Sequence, residues 1–269
     1  MMDFVRVQLA NHLSRPPILV YQMGKVGSVS ISESLRSSGV YPVFHIHRLN
    51  PENIQRVREE YITKNIHPKD EYLGKWLYGN IIQRNKPTYF ITLIREPISR
   101  NISAFFQNFE VFAGCRVDES NISLNELVNV FIDHYPHSVP LTWFDIELQP
   151  TLDIDVYDYP FPKDTGYVSI TKGNFELLIL KSEIDDKIKE ESLREFLPFS
   201  DIGLMRKNVS KNKDYALRYQ EFVRNIKLPP DYVGRMLNSK YVHHFYSDTE
   251  ITGFWSKWVN RSSNSGMIV

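Results

Sequence analysis

Cysteine is almost missing from this chain. Cys115 is the single one in 269 residues, which excludes an internal disulfide and a cysteine-built zinc site. Long apolar runs are missing too. None approaches the roughly eighteen residues that a membrane span needs, and the opening MMDFVRVQLANHLSRPP is interrupted by Asp3, Arg6 and Gln8, so it has no signal-type apolar core. The expectation is a cytoplasmic protein with no transmembrane segment. The Asn-x-Ser triplets starting at Asn101, Asn121, Asn208 and Asn260 then read as chance matches. Net charge is the third absence, with 32 Lys plus Arg against 32 Asp plus Glu. Such a chain has no broad field for a polyanion, so nucleic acid is not an expected partner. Any anion must be held by a few placed groups. No repeat and no Gly/Ser- or Pro-rich linker interrupts the chain, which predicts one domain over 1–269, with a helical C-terminal segment from about 186 to 269.

What is present alternates between strand and helix patterns. PILVYQM (17–23) reads as a short buried strand, and GKVGSVSISESLRSSG as a Gly/Ser turn running into a helix that ends near Gly39. YPVFHIHRL predicts a second strand with Val43, His45 and His47 on one face. Residues 51–66 and 70–85 carry charged helical patterning. KPTYFITLI (86–94) is the best central strand, and NFELLILK follows a turn at Lys172-Gly173. Ser123-Leu124-Asn125-Glu126 has capping-box spacing for a helix that stops before Pro136. Residues 140–170, rich in Pro, Asp and aromatics, are expected to be irregular. This order predicts an α/β protein, a three-layer arrangement of a mainly parallel sheet flanked by helices. Ligands of such sheets bind beyond the carboxyl ends of the strands.

Two turns sit at such ends. The first reads Gly24-Lys25-Val26-Gly27-Ser28-Val29-Ser30. Glycines allow tight turning and close anion approach, the next helix aims its N–H groups at the anion, Lys25 adds a full charge, and Ser28 and Ser30 add hydroxyls. An ATP/GTP Walker loop would need a Gly-Lys-Ser/Thr ending, which does not occur. Taken alone, the loop also fits a plain strand-to-helix connection with a solvated lysine. The second turn reads Arg95-Glu96-Pro97-Ile98-Ser99-Arg100-Asn101-Ile102-Ser103. Pro97 suits a helix start, and Arg95 and Ser103 are placed to converge on one phosphate if the helix runs back past the strand mouth.

Together the two turns resemble the sulfotransferase superfamily that uses 3′-phosphoadenosine 5′-phosphosulfate. In that family a strand–Lys-x-Gly-Ser/Thr–helix loop holds the 5′-phosphosulfate and Arg-x-Pro-x-x-Arg-x-x-Ser holds the 3′-phosphate. Lys25 to Ser28 match the first, and Arg95 to Ser103 match the second at every specified position. The finish YVHHFYSDTEITGF, from Tyr241 to Phe254, is similar to the carbohydrate branch, and the chain resembles more narrowly the bacterial capsular polysaccharide synthesis proteins. The resemblance implies a P-loop-type fold and donor contacts from Gly24, Lys25, Val26, Gly27, Ser28, Val29, Ser30, Arg95, Ser103 and Arg206, the last within Arg206-Lys207-Asn208-Val209-Ser210. Val29 is a departure, standing where many relatives have Ser or Thr.

The implied reaction passes a sulfuryl group to a hydroxyl or amine of a saccharide or related small molecule, leaves 3′,5′-adenosine bisphosphate and requires no metal. Lys25 would stabilise the leaving oxygen. His45 and His47 are the base candidates, because a strand end after the phosphate helix faces the same cleft and histidine titrates near neutral pH. His47 lies nearer the carboxyl end, Glu33 is a further candidate, and a hydrogen-bonded strand-edge role fits either histidine equally. Trp143, Asp145 and Glu147 combine an aromatic plate with two carboxylates, suited to a sugar ring; an aromatic anchor under a long loop fits as well. The other classes open to this sequence are a P-loop kinase using ATP and a non-catalytic module that binds a nucleotide or glycan.

Overall fold

The structure, a computed structural model, describes residues 15–63, 71–115, 117, 122–198, 202–205 and 215–260. In chain order the elements are β1 (Ile18–Tyr21), α1 (Ser28–Ser37), β2 (Val43–Ile46), α2 (Pro51–Thr63), α3 (Glu71–Leu77) continued by a π turn (Tyr78–Ile82), and β3 (Thr88–Ile94). Next come α4 (Pro97–Gln107), α5 (Phe109–Ala113), α6 (Leu124–His134), α7 (Val139–Trp143), a second π turn (Phe144–Leu148), α8 (Gln149–Leu152) and a 3-10 turn (Val156–Asp158). β4 (Tyr167–Lys172), β5 (Phe175–Lys181), α9 (Asp186–Phe196), α10 (Ala216–Asn225), α11 (Pro230–Leu237), α12 (Lys240–Phe245) and α13 (Asp248–Trp258) complete the chain. The described elements after Asp186 are all helical, as the sequence predicts.

The chain divides into two compact units, one of residues 1–95 and 142–206 and another of 96–141 and 207–269. The first holds the five-stranded sheet, in the order β2-β1-β3-β5-β4, flanked by helices. β1 pairs in parallel with β2 and β3, and β3 with β5, while β4 is an antiparallel edge. The three inner strands read as continuous apolar runs because both faces are covered. α1 packs against β1 and β2 through Ile31 and Leu35, both buried.

Two expectations change here. Residues 140–152 are helical rather than irregular: Trp143, Phe144, Glu147, Leu148, Thr151 and Leu152 are all buried, at helical spacing. Glu147 and Thr151 are the polar members of that stripe, and they hide its period from a hydropathy reading. Tyr167–Lys172 is a strand, joined to β5 by the two-residue Gly173-Asn174 turn. Of its six side chains only Ile170 is buried, so it shows little apolar alternation.

The second unit packs around aromatic rings. Phe105 and Phe131 lie 5.4 Å apart, and Phe222 lies 5.2 Å from Phe106 and 6.2 Å from Phe131, each such pair adding about 1 kcal/mol beyond its burial. Several of its helix starts are capped by side chains. The expected capping box at Ser123 and Glu126 is present, and Ser247 with Glu250 forms another at α13.

Candidate functional site

β1 lies between β2 and β3, so the connections that leave β1 and β3 diverge, one toward β2 and one away from it. This divergence is the topological switch point at which open α/β sheets bind ligands. The loop leaving β1 turns through three left-handed residues, Gly24 at φ 82°, Lys25 at φ 66° and Gly27 at φ 84°. A lysine in that region costs about 1–2 kcal/mol, and two contacts hold the turn. Arg95, at the end of β3, donates from Nη1 to the Lys25 carbonyl at 2.9 Å. The Gly24 N–H donates to Gln22 Oε1. Val26 is fully buried under the loop. A Cβ at Gly27 would meet nothing within 4 Å, so the space above it is open. α1 begins at Ser28 with no acidic residue in its first turn, which leaves its positive end uncancelled.

Behind the loop is a compact polar cluster. The Ser28 hydroxyl lies 2.8 Å from His45 Nε2. Fully buried Gln22 places its Nε2 at 3.1 Å from that same nitrogen and 2.9 Å from His47 Nδ1. His47 Nδ1 is also 3.0 Å from the Gln22 carbonyl oxygen, and the two imidazole rings meet edge to face at 5.1 Å. Burial above all, then the neighbouring His47 and Arg36, pull the His45 pKa down to about 4. His45 is therefore neutral at physiological pH, and the expected strand-face pairing of the two histidines is what the structure brings together with Ser28.

The other candidates are placed as follows. Ser30 donates to the Met205 carbonyl at 2.9 Å, and Ser34 Oγ accepts from the Met205 N–H at 2.8 Å. Val29 is exposed beside them, and Glu33 is half-buried on the same helix. Arg206 and the following 207–210 lie outside the described residues. Of the sugar-binding set only Asp145 is exposed. Trp143 is buried and meets the Tyr21 ring edge-on at 5.1 Å. Glu147 is fully buried: Oε1 accepts from the Tyr21 hydroxyl at 2.5 Å and from the Leu49 and Asn50 N–H groups at 2.5 and 3.0 Å, and Oε2 accepts from Asn53 Nδ2. Its pKa is raised by burial, which these hydrogen bonds oppose. Glu147 thus ties the π turn to β1 and to the segment after β2.

The rest of the second motif lies in the second unit. Glu96 caps α4, accepting from the Ile98 and Ser99 N–H groups at 2.7 and 2.8 Å, with Pro97 in the first turn as expected. Arg100 is buried and donates to the Tyr135 hydroxyl at 2.8 Å and to Asn101 Oδ1 at 3.0 Å. Ser103 is half-buried on α4. Sequence reasoning passed over Gln22 and Glu96. The signal for Gln22 was a polar residue ending an apolar strand, and for Glu96 an acidic residue directly before a helix-starting proline.

Among the described residues, no three His, Cys, Asp or Glu are placed to share a metal ion, and no helix is long and apolar enough to cross a membrane. Residues 116–247 match a family model described as "Putative capsular polysaccharide synthesis protein". The match covers just under half of the chain. It supports a link to capsular polysaccharide synthesis and lies wholly after the β1 loop and Arg95. No curated protein and no solved structure matches the chain.

Proposed function

We propose that the chain is a sulfotransferase with a P-loop-type sheet, moving a sulfuryl group from 3′-phosphoadenosine 5′-phosphosulfate to a hydroxyl or amine of a saccharide in capsular polysaccharide synthesis. The observation that carries the reading is the Gly24–Ser28 turn at the switch point, with Lys25 held left-handed by Arg95 and the Ser28–His45–Gln22–His47 cluster beside it. The residues present fit a phosphosulfate: one ammonium, a serine hydroxyl, a helix start without acidic residues, and open space over Gly27. The family match links the chain to capsular polysaccharide synthesis, which favours a capsular saccharide as the acceptor.

The donor supplies an activated sulfur–oxygen bond. That bond breaks as the acceptor oxygen bonds to sulfur, and the acceptor proton must leave. Lys25 and the first turn of α1 would offset the charge growing on the leaving phosphate oxygen, and such donors are each worth about a hundredfold or more in rate. A base of the cluster would take the acceptor proton, a contribution of about a hundredfold to ten-thousandfold. Arg95 would keep the loop in its anion-binding shape in addition to any direct contact with the nucleotide. Incubation with the sulfur-35-labelled donor and capsular saccharide fractions tests the reading: labelled saccharide and 3′,5′-adenosine bisphosphate are expected in equal amounts. Release of neither from any acceptor fraction contradicts it.

A further inference from the structure

Gln22 touches both the phosphate-type loop and the two histidines. Its amide orientation is fixed by the loop itself, because the Gly24 N–H needs an acceptor and so must face Oε1. Nε2 then presents its two N–H groups to His45 Nε2 and His47 Nδ1. For His45 the balance favours one arrangement. A bare Nε2 accepts from both the amide and the Ser28 hydroxyl, whereas a protonated Nε2 would keep only the Ser28 oxygen and face the amide N–H at 3.1 Å. His47 differs. Its Nδ1 lies within 3.0 Å of both the Gln22 amide nitrogen, a donor, and the Gln22 carbonyl oxygen, an acceptor. Bare, that nitrogen accepts from the amide and faces the carbonyl oxygen; protonated, it donates to the carbonyl oxygen and faces the amide, so it has one partner on Gln22 either way.

We infer that Gln22 is a positioning residue that divides the two histidines by duty: it holds His45 as a fixed acceptor that anchors the Ser28 hydroxyl, and it leaves His47 as the histidine able to change protonation without losing a partner. The charged and titratable groups facing His45 act in the same sense, since Arg36 of α1 and His47 both oppose a proton on it. The catalytic consequence, base duty for His47, rests on the sulfotransferase reading, but the tautomers do not.

Nitrogen-15 NMR of the full chain labelled at histidine tests the inference, with resonances assigned through His45→Gln and His47→Gln. In the wild type, His45 is expected to stay neutral from pH 5 to 8, protonated at Nδ1 and bare at Nε2. Gln22→Glu keeps an acceptor for Gly24 but replaces the amide donor by a carboxylate oxygen. His45 should then become protonated at Nε2, with its titration moved up by about 1–3 pH units. A purely structural Gln22 would leave the tautomer where it was. A wild-type His45 protonated at Nε2, or an unchanged tautomer in a folded Gln22→Glu chain, overturns the inference. If Gln22→Glu fails to fold, the wild-type tautomer decides alone. Expected tautomers with no sulfuryl transfer would remove the proposed function and keep the role of Gln22.

Discussion

Lys25 places a full positive charge in the turn between β1 and α1, beside the uncancelled helix start. Lys25→Ala removes that charge at the same left-handed backbone position, so the strain of the turn is kept while, on the proposed function, the leaving oxygen would lose its partner. Transfer is expected to fall about a hundredfold or more with the melting temperature unchanged, as read by donor turnover and thermal unfolding. Glu147→Ala should do the reverse. It leaves the Tyr21 hydroxyl, two backbone N–H groups and Asn53 without their shared acceptor, at a cost of about 3 kcal/mol or more in urea unfolding. His45 adds a pH dependence. Its folded pKa, about 4, lies below the 6.5 of an unperturbed histidine, so below pH 6.5 the unfolded chain takes up a proton that the folded chain refuses. Stability is therefore full above pH 6.5 and falls between 6.5 and 4, by roughly 3 kcal/mol at most. Unfolding curves across that window should show the slope reduced in His45→Gln. His137, whose pKa is lowered mainly by burial, adds to that slope, and Glu147, whose pKa burial raises, opposes it.

At the scale of elements, Glu96 turns an acidic residue of the second motif into a helix cap. It closes two N–H groups of α4 and accepts from Trp258 Nε1 at 3.3 Å. Glu96→Ala is expected to destabilise the second unit by about 1–2 kcal/mol, measured by hydrogen exchange along α4, with Glu96→Asp restoring part of it. The four parallel strands were legible in the sequence because each is a short, largely apolar run, β-branched and aromatic in β1 to β3 and leucine-rich in β5, and α6 because Ser123 and Glu126 announce its start. The helix through Glu147 was not, since its buried stripe includes a carboxylate and a hydroxyl whose partners, Tyr21 and Asn53, lie about a hundred residues away in the chain. β4 was not legible for the opposite reason, being an edge strand with one buried side chain. At the site, the loop and both histidines could be read from spacing. Gln22 could not, because what identifies it is the convergence of three partners after folding.

The whole molecule carries 32 cationic Lys and Arg against 32 acidic side chains, so positive potential must be local. The first unit supplies it at one strand mouth, through Lys25, Arg95 and the start of α1. A chain built this way should not be retained on heparin at physiological salt, because it lacks the extended basic surface whose counterion release drives polyanion binding. It should nevertheless recognise a small, densely charged nucleotide. Calorimetric titration of the full chain with 3′,5′-adenosine bisphosphate, alongside AMP, tests that claim most directly. Saturable one-to-one binding is expected, at least tenfold tighter than that of AMP and weakened in Lys25→Ala. Equal affinity for the two nucleotides, or no binding of the bisphosphate, would contradict it.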